Sequence, residues 1–540
     1  MEQAPNMKNY RKEYADFTFH TPEKFSFPLD VFDRWGKRTA LFWTNGVLDR
    51  KFTFDELKML SSKAAGAFKE KDLARGDKVL VMLPNIPEWW EVMLGLMRLN
   101  AIPIPATNLL TEKDVGYRLS ATDIKAIIAT EESAPKIEAA VNNSTASPLL
   151  FSTGELKGWD NYGKLRDAAN PYEGERISSD DPALIYFTSG TTGQPKMVLH
   201  SQASYPLAHM LTGRYWLDLR PGDLHWNLSD TGWAKAAWSS LFGPWHMGAT
   251  IFSFYKKGKF DPSSILGIMQ KYPITTFCGP PTAYRMMAKE IASTRRFSSL
   301  SMRHFVAAGE PLNREIIELW KNWTGHYIYD GYGQTETANV LANFRCLPIK
   351  PGSMGMPVPG FVVDIVDDKG NPVAAWTEGD IAIKIRPRRP AGLFTEYLGN
   401  KQATENTVRG EWYITGDRAH KDDEGYFWFI GRADDVILTS GYRIGPFEVE
   451  SILIKHPAVK ESAVVASPDE VRGEVVKAFI VLTKDYAPSD ALTKEIQEFV
   501  KTHTAPYKYP RKIEFVDDLP KTLSGKIKRK ELKIREFRKY

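Results

Sequence analysis

From Tyr186 to Lys196 the chain reads YFTSGTTGQPK, so an apolar run with strand character passes directly into glycines and small hydroxylated residues and ends on a lysine. Such a loop is built to wrap phosphate. Gly190 and Gly193 admit backbone angles closed to other residues and let main-chain N–H groups approach an anion. Thr188, Ser189, Thr191 and Thr192 add hydroxyl donors, Gln194 and Pro195 carry the chain onward, and Lys196 supplies charge. A Walker A loop needs glycine directly before the lysine and Ser or Thr after it; Pro195 and Met197 stand there instead, which disfavours that class of ATPase.

The same rhythm runs through much of the chain. KVLVML precedes PEWWEVMLGLMRL, then come IPIPA and AIIAT, and later ALIYF, GATIFSF, RHFVAAG and HYIYD, several of them followed by glycine-rich or polar loops. This predicts α/β architecture in stacked sheets. From about Cys346 to Ile430 short apolar runs such as VVDIV and IAIKI alternate with Gly and Pro, which predicts a small β-barrel or sheet subdomain. Beyond it the pattern predicts a helix over 446–455, strands over 462–466 and 475–482 and a helix over 491–502. The expected division is therefore a large domain over 1–433 and a smaller α+β domain over 434–540.

At 540 residues, 43% of them hydrophobic and 25% charged, the chain is a multidomain globular protein with ample core. Its two cysteines, Cys278 and Cys346, offer no disulfide framework and suit a reducing cytoplasm. The N-terminal stretch has neither the apolar run of a signal peptide nor the acid-poor composition of a transit peptide, and no apolar run is long enough to span a membrane. Residues 501–540 carry 13 basic against 5 acidic side chains, so the net charge of +5 conceals a basic C-terminal end. That end fits a polyanionic nucleotide; a solvated helix face and a weak membrane-surface contact are the other readings of its last residues, and no nucleic-acid partner is expected.

Five further strings follow in order: AAGEPL at 307–312, YDGYGQTET at 329–337, YITGD at 413–417, GRADDVILTSGYRIGPFEVE at 431–450 and PKTLSGKI at 520–527. With the loop at 186–196 they resemble the adenylate-forming superfamily of acyl-CoA synthetases, firefly-type luciferases and peptide-synthetase adenylation domains, over nearly the whole chain. Within it, GYGQTE, TSGYRIGPFEVE and APYKYPRKIEFV look most like medium-chain acyl-CoA synthetases.

The chemistry explains the residue types. A carboxylate is a poor electrophile, and attack on the α-phosphorus of ATP converts it into acyl-AMP with loss of pyrophosphate. Anion then meets anion, so the site needs a phosphate loop, a divalent metal and a lysine. The resemblance implies that Glu336 binds Mg2+, that Thr335 touches the phosphates, and that Gly309, Glu310 and Pro311 with Asp330, Gly331 and Tyr332 flank the adenine beside Gly333 and Gln334. It assigns Asp417 and Arg432 to the ribose or phosphate and Lys526 to the adenylation step. For the second step, attack by CoA, it implies rotation of the small domain about Asp434, a pantetheine tunnel lined by Ser440, Gly441 and Tyr442, and phosphate contacts from Arg443, Arg472 and Lys501.

For the acyl pocket it points to Trp233, Ala234 and Lys235, and to Gly333, where acetate-specific relatives carry a pocket-closing tryptophan. Medium-chain or branched short-chain acids are the expected substrates, with benzoate-like aryl acids behind them. A luciferase-like oxygenase and an enzyme loading a carrier protein are the other classes, and a homo-oligomer stays open.

Overall fold

The computed structural model describes residues 4–188, 194–258, 260–294, 301–439, 442–469, 472–522 and 526–539. Ser189, Gly190, Thr191, Thr192, Gly193, Ser440 and Gly441 lie outside the described residues. Two compact units are present, one built from the residues up to Val362 with Pro387–Asn406, the other from Val363–Arg386 with the residues from Thr407 onward.

Three sheets organise the first unit. The nine-stranded sheet has a parallel centre, in the order 328–332, 304–308, 276–279, 224–227, 250–254 and 39–44, with antiparallel strands added at both ends. Trp226, Phe277, Tyr284, Phe305 and Trp320 pack against it in one apolar cluster. A five-stranded parallel sheet contains 102–105, 78–82, 124–129, 149–152 and 160–161. The helix Pro87–Leu99 between its strands opens with proline at the first turn, where no N–H is missed, and stops at Asn100 in the left-handed region (φ 57°). All but one of its residues are buried, which accounts for its almost uninterrupted apolar sequence. The third sheet is antiparallel: Pro182–Thr188 pairs with Lys196–Ser201, which pairs with Glu396–Tyr397. Its residues Ile185, Phe187 and Leu199 join the core of the five-stranded sheet.

In the second unit, Val363–Val366, Gly379–Lys384, Val408–Arg409, Trp412–Lys421 and Phe427–Arg432 form an antiparallel sheet. A second sheet joins Tyr442–Ile444, Ile437–Thr439, Gly473–Leu482 and Val459–Asp469, with Lys512–Phe515 parallel to Gly473–Leu482. The helices Pro446–Leu453 and Asp490–His503 cover its core. These two helices and the strands Val459–Asp469 and Gly473–Leu482 overlap the elements that the hydrophobic pattern predicts; the strands Ile437–Thr439, Tyr442–Ile444 and Lys512–Phe515 are additional to it.

The β segment expected over 346–430 is narrower in the structure. Residues Pro387–Asn406 leave it and belong to the first unit, because Thr395 and Leu398 donate their N–H groups to the carbonyls of Leu199 and Met197 beside the loop-bearing hairpin. The expected hinge Asp434 is exposed in the short 3-10 turn Ala433–Asp435, inside the second unit and directly after the strand Phe427–Arg432.

Candidate active site

Antiparallel register sets Thr188 opposite Lys196. Pro195 is held from outside, its carbonyl accepting the Tyr117 hydroxyl at 2.8 Å. The Lys196 ammonium lies 4.5 Å from the centroid of the Tyr397 ring, a cation–π contact made possible because Val198 pairs with Tyr397 across the sheet. The Tyr397 hydroxyl donates to Glu336 Oε1 at 2.8 Å. One ring thus stands between the cation and the carboxylate that phosphate chemistry requires. Nothing local in TEYLGN distinguishes Tyr397 from a core tyrosine, and the sequence reading missed it.

Glu336 follows the strand Ile328–Tyr332, whose parallel neighbour His304–Ala308 ends at Gly309. Gly309 takes φ 104°, a conformation that L side chains rarely adopt, and a Cβ there would meet nothing within 4 Å. Both ends face the C-terminal edge of the sheet, where open α/β sheets bind ligands. Glu310 accepts the Thr282 hydroxyl at 2.8 Å. Asp330 is fully enclosed, and burial pushes its carboxyl well above the usual range against a single opposing hydrogen bond from the Gly331 N–H.

The turn after Gly333 closes on itself: the Gln334 N–H donates to the Thr337 hydroxyl at 2.9 Å and the Thr337 N–H to the Gln334 carbonyl at 3.2 Å. The carbonyl of Thr335 between them accepts from His200 and Tyr205. Gly333 departs from expectation. A Cβ there would lie 2.4 Å from the Ala338 carbonyl oxygen and 2.5 Å from the Trp238 ring. The missing side chain leaves no open space for a longer acyl group; Trp238 already fills that direction.

On the acyl side, the turn before Trp233 is pinned by Asp230, which accepts from the Gly232 N–H and the Thr107 hydroxyl at 2.8 and 3.0 Å. Gly232 is indispensable there, since a Cβ would lie 2.0 Å from the Thr107 backbone nitrogen. Trp233, Ala234 and Lys235 are half-buried at the start of the helix Ala234–Ala237. The Lys235 ammonium donates to the Ala308 carbonyl at 3.2 Å, which ties the acyl-side helix to the residue preceding Gly309.

In the second unit, the strands put Asp417 opposite Arg432, with Nη1 3.3 Å from Oδ1; Asp417 is buried and Arg432 exposed. Lys526 is exposed next to the antiparallel bridge between Lys521 and Ile527, its carbonyl accepting the Thr522 N–H at 2.7 Å and its own N–H donating to the Thr522 hydroxyl at 3.1 Å. Thr439 pairs with Tyr442 on one side and with Gly473, the residue after Arg472, on the other, and Arg443 pairs with Leu438. Lys501, near the end of the helix Asp490–His503, pairs with Glu498 and lies over the Tyr509 ring, where Arg511 also stacks.

Comparison with known proteins gives this arrangement its family. The model of the AMP-binding enzyme matches residues 30–398 and that of the AMP-binding enzyme C-terminal domain matches residues 448–526. The chain is 49% identical to the mitochondrial acyl-coenzyme A synthetase ACSM3 of Mus musculus, over 98% of this chain and 94% of the relative. It is 48% identical to the mitochondrial acyl-coenzyme A synthetase ACSM4 of Homo sapiens, over 96% and 91%. Among solved structures, the anthranilate CoA ligase AuaEII in complex with anthranoyl-AMP superposes with a TM-score of 0.87 at 30% identity, covering 96% of this chain and 98% of that one. The benzoate CoA ligase from Burkholderia xenovorans LB400 does so with a TM-score of 0.83 at 29% identity, covering 94% and 100%. By both family models and these relatives, the chain belongs to the adenylate-forming AMP-binding enzymes, most like the medium-chain acyl-CoA synthetases, and is an ATP-dependent, AMP-forming acid–thiol ligase.

Proposed function

We propose that the acid activated is a medium-chain or branched short-chain fatty acid. The observation that supports it lies on the expected acyl side: Trp233 carries a large apolar ring, half-buried just before the helix Ala234–Ala237, and the neighbouring Lys235 ammonium is bonded to the Ala308 carbonyl. A benzoate- or anthranilate-like aryl acid is the second reading, favoured by the likeness to two aryl-CoA ligases. Pyrophosphate release and acyl-CoA formation across C2–C12, branched and aryl acids, with and without CoA, separate the two. The expected result is CoA-dependent thioester with kcat/KM highest on medium or branched chains. A maximum on benzoate or anthranilate would establish the second reading.

Among the described residues no cluster of three His, Cys, Asp or Glu side chains could hold a metal. The donor set suits Mg2+ all the same, since that ion takes one or two carboxylates and completes its shell with substrate phosphate oxygens and water. Glu336 would hold it, with the carboxylate oriented by Tyr397. The bound ion would draw charge off the departing pyrophosphate. The chain's own groups do the rest. Lys196 and the loop at 188–195 bind the polyphosphate, Asp417 and Arg432 take the ribose hydroxyls, and Lys526 bridges the carboxylate and an α-phosphate oxygen. Arg443, Arg472 and Lys501 receive the CoA phosphates in the second step, after the segment beyond Asp434 turns. A reducing cytoplasm is the compartment we assign, on the two free cysteines.

Tyr397→Phe removes the hydroxyl that orients Glu336 while keeping the ring under Lys196. It is expected to raise the Mg2+ concentration needed for half-maximal pyrophosphate release by about 10- to 100-fold, the usual loss when a partner behind a metal ligand is removed. An unchanged Mg2+ titration would refute the metal assignment to Glu336.

A further inference from the structure

One backbone oxygen in the first unit is gripped with unusual care. His200, on the strand Lys196–Ser201, has Nε2 2.7 Å from the carbonyl oxygen of Thr335. Tyr205, in the π-helical turn Ala203–Leu207 that follows, has its hydroxyl 2.6 Å from the same oxygen. The hydroxyl stands among three carbonyls of the turn, with those of Thr337 and Gln334 farther away at 3.2 and 3.4 Å. A carbonyl only accepts, so His200 carries its proton on Nε2, and the two donors occupy both lone pairs. His200 Nδ1 then accepts from the Ser204 hydroxyl at 3.0 Å. Complete burial brings the imidazole pKa down to about 3, which keeps the ring neutral throughout the working pH range. Tyr205 is locked in turn: its ring stacks on His200 with centroids 3.5 Å apart, and its oxygen receives the Trp238 indole N–H at 3.1 Å.

The turn at 334–337 already closes through the Thr337 hydroxyl, so this clamp is not needed to make the turn. What it fixes is the peptide plane between Thr335 and Glu336, which is rigid and carries the Thr335 oxygen at one end and the Glu336 nitrogen at the other. Beyond that plane, the Glu336 carbonyl accepts the Phe394 N–H at 2.8 Å and the Glu336 carboxylate accepts from Tyr397. Any rotation of the plane would swing the carboxylate.

We propose that His200 and Tyr205 are positioning residues for the adenylation half-reaction, setting the Thr335–Glu336 peptide and so the aim of the Thr335 hydroxyl and Glu336 carboxylate, while Trp238 joins this clamp to the wall behind Gly333. The inference rests on the reading that Glu336 and Thr335 work on the polyphosphate. It goes further in naming residues that touch neither nucleotide nor acid. A displacement of about 1 Å at such a group costs about 100-fold in rate.

The test uses Tyr205→Phe, His200→Ala, His200→Gln and Glu336→Gln in the full chain. Each variant is measured for ATP–pyrophosphate exchange against MgCl2, for thioester formation from supplied acyl-AMP and CoA, and for its melting curve. Tyr205→Phe and His200→Ala are expected to lose about 10- to 100-fold in exchange and to need more Mg2+, with the thioester step close to the parent rate. His200→Gln, whose amide N–H can reach the same carbonyl, should recover most of the exchange. Equal losses in both half-reactions would mean a general structural role and overturn the proposal. If Glu336→Gln raises the Mg2+ requirement and Tyr205→Phe leaves exchange intact, the clamp fails alone; if Glu336→Gln leaves that requirement unchanged, the metal reading beneath it fails. Should His200→Ala not fold, Tyr205→Phe, which keeps the ring, decides.

Discussion

Lys526→Ala is expected to lower pyrophosphate release by about 100- to 1,000-fold, the usual loss when one preorganised donor is removed from developing transition-state charge. Thioester formation from supplied acyl-AMP and CoA should stay close to the parent rate. The asymmetry follows from the assignment, because the ammonium is needed only while the carboxylate oxygen approaches the α-phosphorus. Removal should also be structurally benign. Lys526 is exposed, and its hydrogen bonds with Thr522 use its backbone N–H and carbonyl, which alanine retains. Single-turnover measurement of each half-reaction checks this. An equal fall in both would remove Lys526 from its assigned role.

Gly333→Trp is expected to cost the protein its stable fold around the 334–337 turn, with loss of both half-reactions and a lowered melting temperature. The resemblance to acetate-specific relatives alone predicts a narrower acyl pocket and a preference for acetate. The geometry predicts otherwise, because the first carbon of any side chain there would sit 2.4 Å from the Ala338 carbonyl oxygen and 2.5 Å from the Trp238 ring. A backbone carbonyl cannot move aside as a flexible side chain can, and overpacking of a closed site typically costs about 1–3 kcal/mol even for added methylenes. Gly333→Ala should show the milder form of the same defect, and expansion of the pocket is better sought at Trp238. A soluble Gly333→Trp protein that melts like the parent and prefers acetate would show that Trp238 yields readily.

The residues proposed to meet phosphate were readable as sequence because phosphate demands rare strings. Glycines beside hydroxyls and a lysine, or Gln-Thr-Glu after a strand, have few structural reasons to recur. Lys196, Glu336 and Asp417 therefore stood out, and the structure places the first two on either side of one tyrosine. The residues that hold those groups in place were not readable. His200, Tyr205, Trp238 and Tyr397 are buried or half-buried aromatic side chains in apolar surroundings, which is the ordinary composition of a core. Their roles arise only from register: Val198 against Tyr397, and a π-helical turn that swings Tyr205 under the carbonyls of a distant loop. Hydrophobic period located the α/β rhythm and the two long strands and two helices of the C-terminal region, yet gave no sign that Pro387–Asn406 leaves its neighbours, since pairing partners are not written in local periodicity.

That excursion bears on how the chain is made. The hairpin that carries the phosphate loop lacks its third strand until Glu396–Tyr397 has emerged from the ribosome, and Glu336 lacks its tyrosine until the same moment. By then Val363–Val366 and Gly379–Lys384 have been synthesised as an antiparallel pair whose next strand, Trp412–Lys421, is still to come. An unpaired edge of this kind is open to wrong partners. Completion of the hairpin's sheet is thus tied to a stage at which the following sheet is unfinished, and a chain that stalls between Asn406 and Lys421 would present the quality-control machinery with one finished sheet and one ragged sheet edge.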